Sequence, residues 1–142
     1  MVVCCSGNII KNVKGVVVPN SGGQKGIAPA AILGVLTGKS EKGLEVIAEA
    51  DEDAIEKTKK LCLTDFCTCE LAEGVENLFI RVELKRGLDT VIVEIRTNHD
   101  HVALIQKNGD ILFSQPDISE SRAGDKSKLN ISTKCMPYKQ QY

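Results

Sequence analysis

The chain has 142 residues, 42% of them hydrophobic, with 18 Lys and Arg against 19 Asp and Glu and a formal net charge of −1. That is enough apolar material for one core, and the near-neutral balance lacks the basic footprint of a nucleic-acid binder. No apolar run approaches the roughly 20 residues of a membrane span, and the stretch Met1–Ser6 has no basic flank, so neither a membrane anchor nor an export signal is expected.

Val2–Cys5 reads as a short strand, after which Ser6 can cap a helical turn over 7–13 with Ile9, Ile10 and Val13 on one face. Gly15–Pro19 is expected to be extended, because three valines precede a proline. Asn20–Gly23 reads as a loop. Pro29 sits where a helix starts, Ala30–Leu36 fills the next turns and Gly38 stops it. Ser40 is expected to cap a second short helix, Glu41–Ala48, and Asp51 a third, Glu52–Cys62. In the third, acids lie early and lysines late, which suits the helix dipole, and Asp53/Lys57 and Glu56/Lys60 are favourable pairs.

From residue 64 the period changes to two. Strands are expected over 65–71, Leu78–Lys85, Val91–Arg96, His101–Lys107 and Asp110–Gln115, the last two joined by the hairpin signal Asn108-Gly109. The expected architecture is α+β, with N-terminal short helices packed on an antiparallel meander of four to five strands. Residues 1–115 form that domain. Residues 116–142 are polar and aperiodic and read as a linker or tail; the sequon Asn130-Ile-Ser132 lies within them.

Six cysteines stand at 4, 5, 62, 67, 69 and 135, and no CxxC occurs. They read as reduced, partly buried thiols of a cytoplasmic protein, and none has the spacing of a metal ligand. On a strand Cys67 and Cys69 would share a face, about 7 Å apart by strand rise. The two histidines, His99 and His101, would likewise share a strand face and could begin a metal site, end a strand, or reach into a neighbouring active site. The small-residue stretch from Ser6 to Gly26, with Lys11-Asn12 and the Asn20–Gly23 loop, fits turn chemistry or the approach of an anion. It lacks the spacing of a phosphate loop.

Several segments carry more together than apart. These are Ser6-Gly-Asn-Ile-Ile-Lys-Asn-Val-Lys-Gly-Val-Val-Val-Pro-Asn-Ser-Gly-Gly23, Gly26-Ile-Ala-Pro-Ala-Ala-Ile-Leu-Gly34, Gly43-Leu-Glu-Val46, and the His99 segment followed by Asn108-Gly109. In this order they resemble the serine dehydratase-like family of bacterial L-cysteine desulfidases over roughly residues 2–115. That family reads Asn-x-x-Lys-Asn-x-x-Gly-x-x-x-Pro-x-Ser/Thr-Gly, then an Ala/Gly-rich helix, Gly-Leu-Glu-Val and Gly-Gly-His-Thr-Asn. The resemblance implies a relation to iron–sulfur L-serine dehydratases, in which a four-iron four-sulfur cluster acts as Lewis acid while hydroxide or sulfide is expelled, leaving ammonia and pyruvate. The family's cluster ligands are cysteines from an upstream Cys-Thr-Glu-Pro segment and from a C-terminal helical domain, and none of the six cysteines matches them.

What the resemblance implies is therefore the α+β part of a lyase, a fragment or shortened member of the family, inactive alone and holding no cofactor itself. Its partner would be the missing C-terminal helical catalytic domain. His99 carries over as a catalytic residue, and Lys11, Asn12 and Ser21 as substrate-binding residues. Asn20-Ser21 replaces the usual Gly-Thr, and Asn98-His99-Asp100-His101 replaces Gly-His-Thr-Asn, so His101 has no counterpart. A surface left by the missing domain, rimmed by Ile9, Ile10, Val16–Val18 and Ile27, would favour a homo-oligomer, a dimer first. Alternatives are a free-standing module binding an amino acid or carboxylate at Asn20–Gly23, or a non-catalytic interaction domain.

Overall fold

The computed structural model describes residues 1–115 and 133–138. Strands β1 (Val2–Ser6), β2 (Thr68–Ala72), β3 (Phe79–Arg86), β4 (Asp89–Arg96), β5 (Val102–Lys107), β6 (Asp110–Ser114) and β7 (Cys135–Tyr138) make one sheet. Its order is β6-β5-β4-β3-β1-β2-β7. Helices α1 (Gly7–Val13), α2 (Ile27–Thr37) and α3 (Glu52–Cys62) lie between β1 and β2 in the chain. The class is α+β, as expected.

Local chemistry sets the helix ends. Ser6 is extended at φ −60°, ψ 153°, and its Oγ accepts from the Ile9 N–H at 3.5 Å while donating to the Asn77 carbonyl at 2.6 Å. One hydroxyl thus caps α1 and fastens it to the turn before β3. Asp51 caps α3, its Oδ1 accepting from the Ala54 N–H at 2.7 Å. Gly38 ends α2 at φ 61°, a conformation glycine adopts without cost. The expected helix Glu41–Ala48 is instead a 3-10 segment, Ser40–Glu45, broken by Gly43 at φ 54°, ψ −119°. The expected extension at 15–19 is reduced to one bridge, Val17 with Lys25.

The sheet corrects the expected antiparallel meander of four to five strands. Strands β3 to β6 are such a meander, but β1 is inserted between β3 and β2 and runs parallel to β2. The cause is that β1 is covered on both faces: Val3, Cys4 and Cys5 are each 2% exposed. A strand buried on both sides shows no alternation from which its neighbours could be read. Within the stretch expected to be linker or tail, Cys135–Tyr138 form β7 and pair with β2. The rest of that stretch, 116–132 with its sequon and 139–142, lies outside the described residues.

The two faces of the sheet differ. On one, α1 and α2 cover β1 and β2, and Val3, Cys5, Ile9 and Ile10 pack with Leu71, Ile80 and Val82. A second core joins Val18, Leu33 and Ala54 between α2 and α3. The other face carries Cys4, Ala72 and Phe79 beside Val75 and Cys135. Here Cys4 and Cys135 form a disulfide with Cα atoms 6.2 Å apart, correcting the expectation that all six thiols are reduced. The expected apolar surface is also smaller. Ile9, Ile10 and Val18 are buried, while Val16 and Val17 are exposed. No helix among the described residues is long and apolar enough to cross a membrane.

Candidate functional site

Asn8 and Asn12 lie one helical turn apart on α1 and so share a side. With Glu76, Thr97 and His99 they line a cleft of about 360 Å³, floored by Ile9 and Leu78. It sits at the end of the sheet where β1 passes into α1, β3 begins and β4 ends. The β4–β5 turn is shaped by Thr97 at φ 69°. Its N–H donates to the Leu78 carbonyl at 3.0 Å, and the His101 N–H to the Asn98 carbonyl at 3.1 Å. His99 is exposed at this turn. His101 is half-buried, its Nδ1 3.0 Å from the Arg96 carbonyl oxygen. Both histidines precede β5 and do not share a strand face, because the turn takes up residues 97–100.

Glu76 gives the cleft its charge. Its Oε1 accepts from Arg96 Nη1 at 3.1 Å, whereas Oε2 is buried with no hydrogen-bond partner among the described residues. A buried acceptor left unsatisfied is costly. Arg96 links this carboxylate to the sheet face that carries Cys4 and Phe79: it lies 4.8 Å over the Phe79 ring and donates to Glu94 Oε2 at 3.1 and 3.2 Å. Burial works to lower the Arg96 pKa, but Glu94 and Glu76 outweigh it and hold the guanidinium above its ordinary value.

The structure thus brings Asn12 and His99 together and leaves Lys11 and Ser21 apart from them. Lys11 is exposed on α1 and does not line the cleft. Ser21 is fully buried. Its Oγ lies 2.7 Å from the Val18 carbonyl oxygen and accepts from the Gln24 N–H at 3.0 Å. Asn20, at φ 55°, donates its amide to the Ile47 and Ala48 carbonyls at 3.3 and 3.1 Å. Gly22 is pressed on α3, where a Cβ would lie 3.0 Å from Lys59 Nζ and 3.1 Å from Ile55 Cγ2. The Asn20–Gly23 loop spends its polar groups on its own backbone and on the segment before α3. Asn8, Glu76 and Thr97 escaped the sequence reading. Asn8 was signalled by its place four residues before Asn12 in the same motif, but nothing singled out Glu76 among the other acids.

Of the cysteines, Cys5, Cys62, Cys67 and Cys69 are outside any disulfide. Burial, with Cys69 nearby, pushes the Cys5 thiol up to about 12. A hydrogen bond between Cys67 and Cys69 raises the first thiol and lowers the second. The one set of sulfur and carboxylate ligands close enough to share a cation, among the described residues, is Cys4, Glu70 and Cys135.

No protein-family model matches the chain. No solved structure matches it. A UPF0597 protein of Treponema denticola is 37% identical over 129 residues, covering 89% of the chain and 30% of that relative. A UPF0597 protein of Lachnoclostridium phytofermentans is 41% identical over 115 residues, covering 81% of the chain and 28% of that relative. One of Finegoldia magna is 40% identical over 111 residues. Over most of its length the chain is therefore similar to UPF0597 proteins, and it spans about 30% of the length of these curated relatives.

Proposed function

We propose that the chain is the α+β part of a deaminating lyase of the L-cysteine desulfidase and L-serine dehydratase-like kind, working in the cytoplasm. Segments beyond it, including a helical domain, would complete the active site. One observation carries this reading: Asn12 and His99, from separate motifs of the resemblance, meet in one cleft that Glu76 also lines. A zwitterionic amino acid suits that arrangement. Its ammonium answers the Glu76 carboxylate, and its carboxylate the amides of Asn8 and Asn12. The imidazole of His99 serves to move a proton as substrate loses ammonia. No cysteine lines the cleft, so these residues do not fit an iron–sulfur cluster. A cluster would be held by the segments beyond, and the roles given to His99 and Glu76 do not pass through it.

Two measurements test the proposal. The chain alone, titrated with L-serine and with L-cysteine at millimolar concentration, should shift the His99 imidazole resonances more than those of His101 without releasing pyruvate. The longer protein carrying this segment, purified without oxygen, should release pyruvate and ammonia. Binding without turnover in the longer protein would instead make the cleft that of an amino-acid-binding module. Absence of both would remove the amino-acid reading.

A further inference from the structure

The sheet face that carries Cys4 and Phe79 holds a second cleft, of about 330 Å³, lined by Val2, Cys4, Glu70, Arg81, Glu83 and Cys135 among others. It shares no lining residue with the His99 cleft, and its chemistry is independent of the lyase reading. Cys4 of β1 stands opposite Glu70 of β2. Cys135 begins β7, the strand on the far side of β2. Two flat strand spacings would separate β1 from β7 by about 9.6 Å, yet the Cys4 and Cys135 Cα atoms are 6.2 Å apart. The sheet curls at this corner and gathers the two sulfurs and a Glu70 oxygen within 4.8 Å of one another. Among the described residues Glu70 makes no ion pair and no side-chain hydrogen bond, while its neighbour Arg81 is already engaged by Glu94 at 3.1 Å. A carboxylate with no partner among the described residues, beside two sulfurs and lining a cleft, offers a cation three ligand atoms.

We infer that Cys4, Glu70 and Cys135 form a redox-gated site for a thiophilic divalent cation, Zn²⁺. In the disulfide form the sulfurs are spent on each other and the site is closed. Two equivalents of a low-molecular-weight thiol reduce the S–S bond, giving the two cysteine thiols and the reductant's own disulfide. Zn²⁺ then displaces the two thiol protons to solvent and takes the Glu70 carboxylate as third ligand, with a water from the cleft as fourth. Zinc binds thiolate at about 2.3 Å and carboxylate at about 2.0–2.2 Å, so two tetrahedral thiolates stand about 3.8 Å apart. Side-chain rotation at Cys4 and Cys135 supplies that separation without moving the strands. Two sulfurs and one oxygen in a tetrahedron with one open position suit zinc better than magnesium or calcium, which require oxygen ligands.

The test uses Co²⁺ as a coloured stand-in, added to the 142-residue chain with its disulfide intact and after reduction by a phosphine. The reduced chain should bind one Co²⁺, with thiolate-to-cobalt absorption that Zn²⁺ abolishes, and the oxidised chain should show none. Cys135→Ser should remove the absorption. Glu70→Gln, which keeps size and shape and whose fold is checked by circular dichroism, should weaken Co²⁺ binding at least tenfold. The triple variant Cys62→Ser/Cys67→Ser/Cys69→Ser should bind as the parent does. Binding by the oxidised chain, binding unchanged by Cys135→Ser or Glu70→Gln, loss of binding in the triple variant, or no Co²⁺ on the reduced chain would each overturn the inference.

Discussion

Glu94 is 6% exposed, and both its oxygens are taken by arginines: Arg81 at 3.1 Å and Arg96 at 3.1 and 3.2 Å. Removing one member of a buried charge cluster leaves the others uncompensated, which costs more than the cluster contributes. Glu94→Ala should therefore lower unfolding free energy by about 2–3 kcal/mol, below the fully buried range because the arginines are partly exposed. Urea denaturation would read this. An unchanged midpoint would mean that water already screens the arginines. On the proposed lyase reading, His99→Ala in a longer protein carrying this segment should lower turnover about 10²-fold, the scale of acid–base catalysis, and His101→Ala less than about threefold. Equal losses would put the catalytic role on the wrong imidazole. The meeting of Asn12 and His99 in one cleft could be looked for from the sequence because each sits in a motif; the place of Glu76 beside them could not, because only the folded chain brings residue 76 to the end of α1.

At the scale of elements, α3 could be read to the residue because cap, charge order and apolar stripe all agree on Asp51 and Glu52–Cys62. The hairpin at Asn108-Gly109 was equally plain: both residues take positive φ, 51° and 88°. The strand β7 was hidden because four residues in a polar stretch, one of them Pro137, carry no period, and their order comes from β2 and the disulfide. The stretch from Lys39 to Glu49 carries a pH signature. Hydrogen bonds from Lys39 at 2.6 Å and from Lys42 hold the Glu49 carboxyl at about 2, below its ordinary 4.5. A carboxyl depressed in the folded state adds stability that is complete above the unfolded value and lost as pH falls through the folded one. That window runs from about 4.5 down to about 2. The pair is exposed, so the effect should be small. Carboxyl carbon shifts followed by NMR should place the Glu49 midpoint at about 2, and Lys39→Ala should return it towards 4.5. A Glu49 midpoint near its ordinary value in the parent would show that solvent breaks the pair.

For the whole molecule, the Cys4–Cys135 bond joins positions 131 apart in the chain. Closing so long a loop in the unfolded chain is entropically expensive, so reduction or Cys135→Ser should cost about 2–4 kcal/mol. Urea midpoints of the oxidised, reduced and serine forms would measure it. A reduced form as stable as the oxidised one would mean that β7 holds by its backbone pairing alone. At the far edge, β6 exposes Ile111, Leu112 and Phe113, and near α1 Val16 and Val17 are exposed. An open edge strand with apolar side chains invites pairing with a second copy. Sedimentation at micromolar concentration should show a dimer that Leu112→Lys weakens. A monomer in the parent would leave those surfaces to another partner.

The position of β1 has a consequence in time. It is an early segment of the chain, yet its neighbours in the sheet are β2 and β3, whose partner residues for Val2–Ser6 lie at 68–72 and 80–83. During synthesis at about 5–20 residues per second, Val2–Cys5 waits several seconds for either flank. The helices that come next can form locally in that interval, but the sheet cannot close around β1, an interior strand made before both of its flanks. Pairing of β1 on both edges is thus timed by the arrival of β3, and until then its apolar residues are the ones most in need of protection.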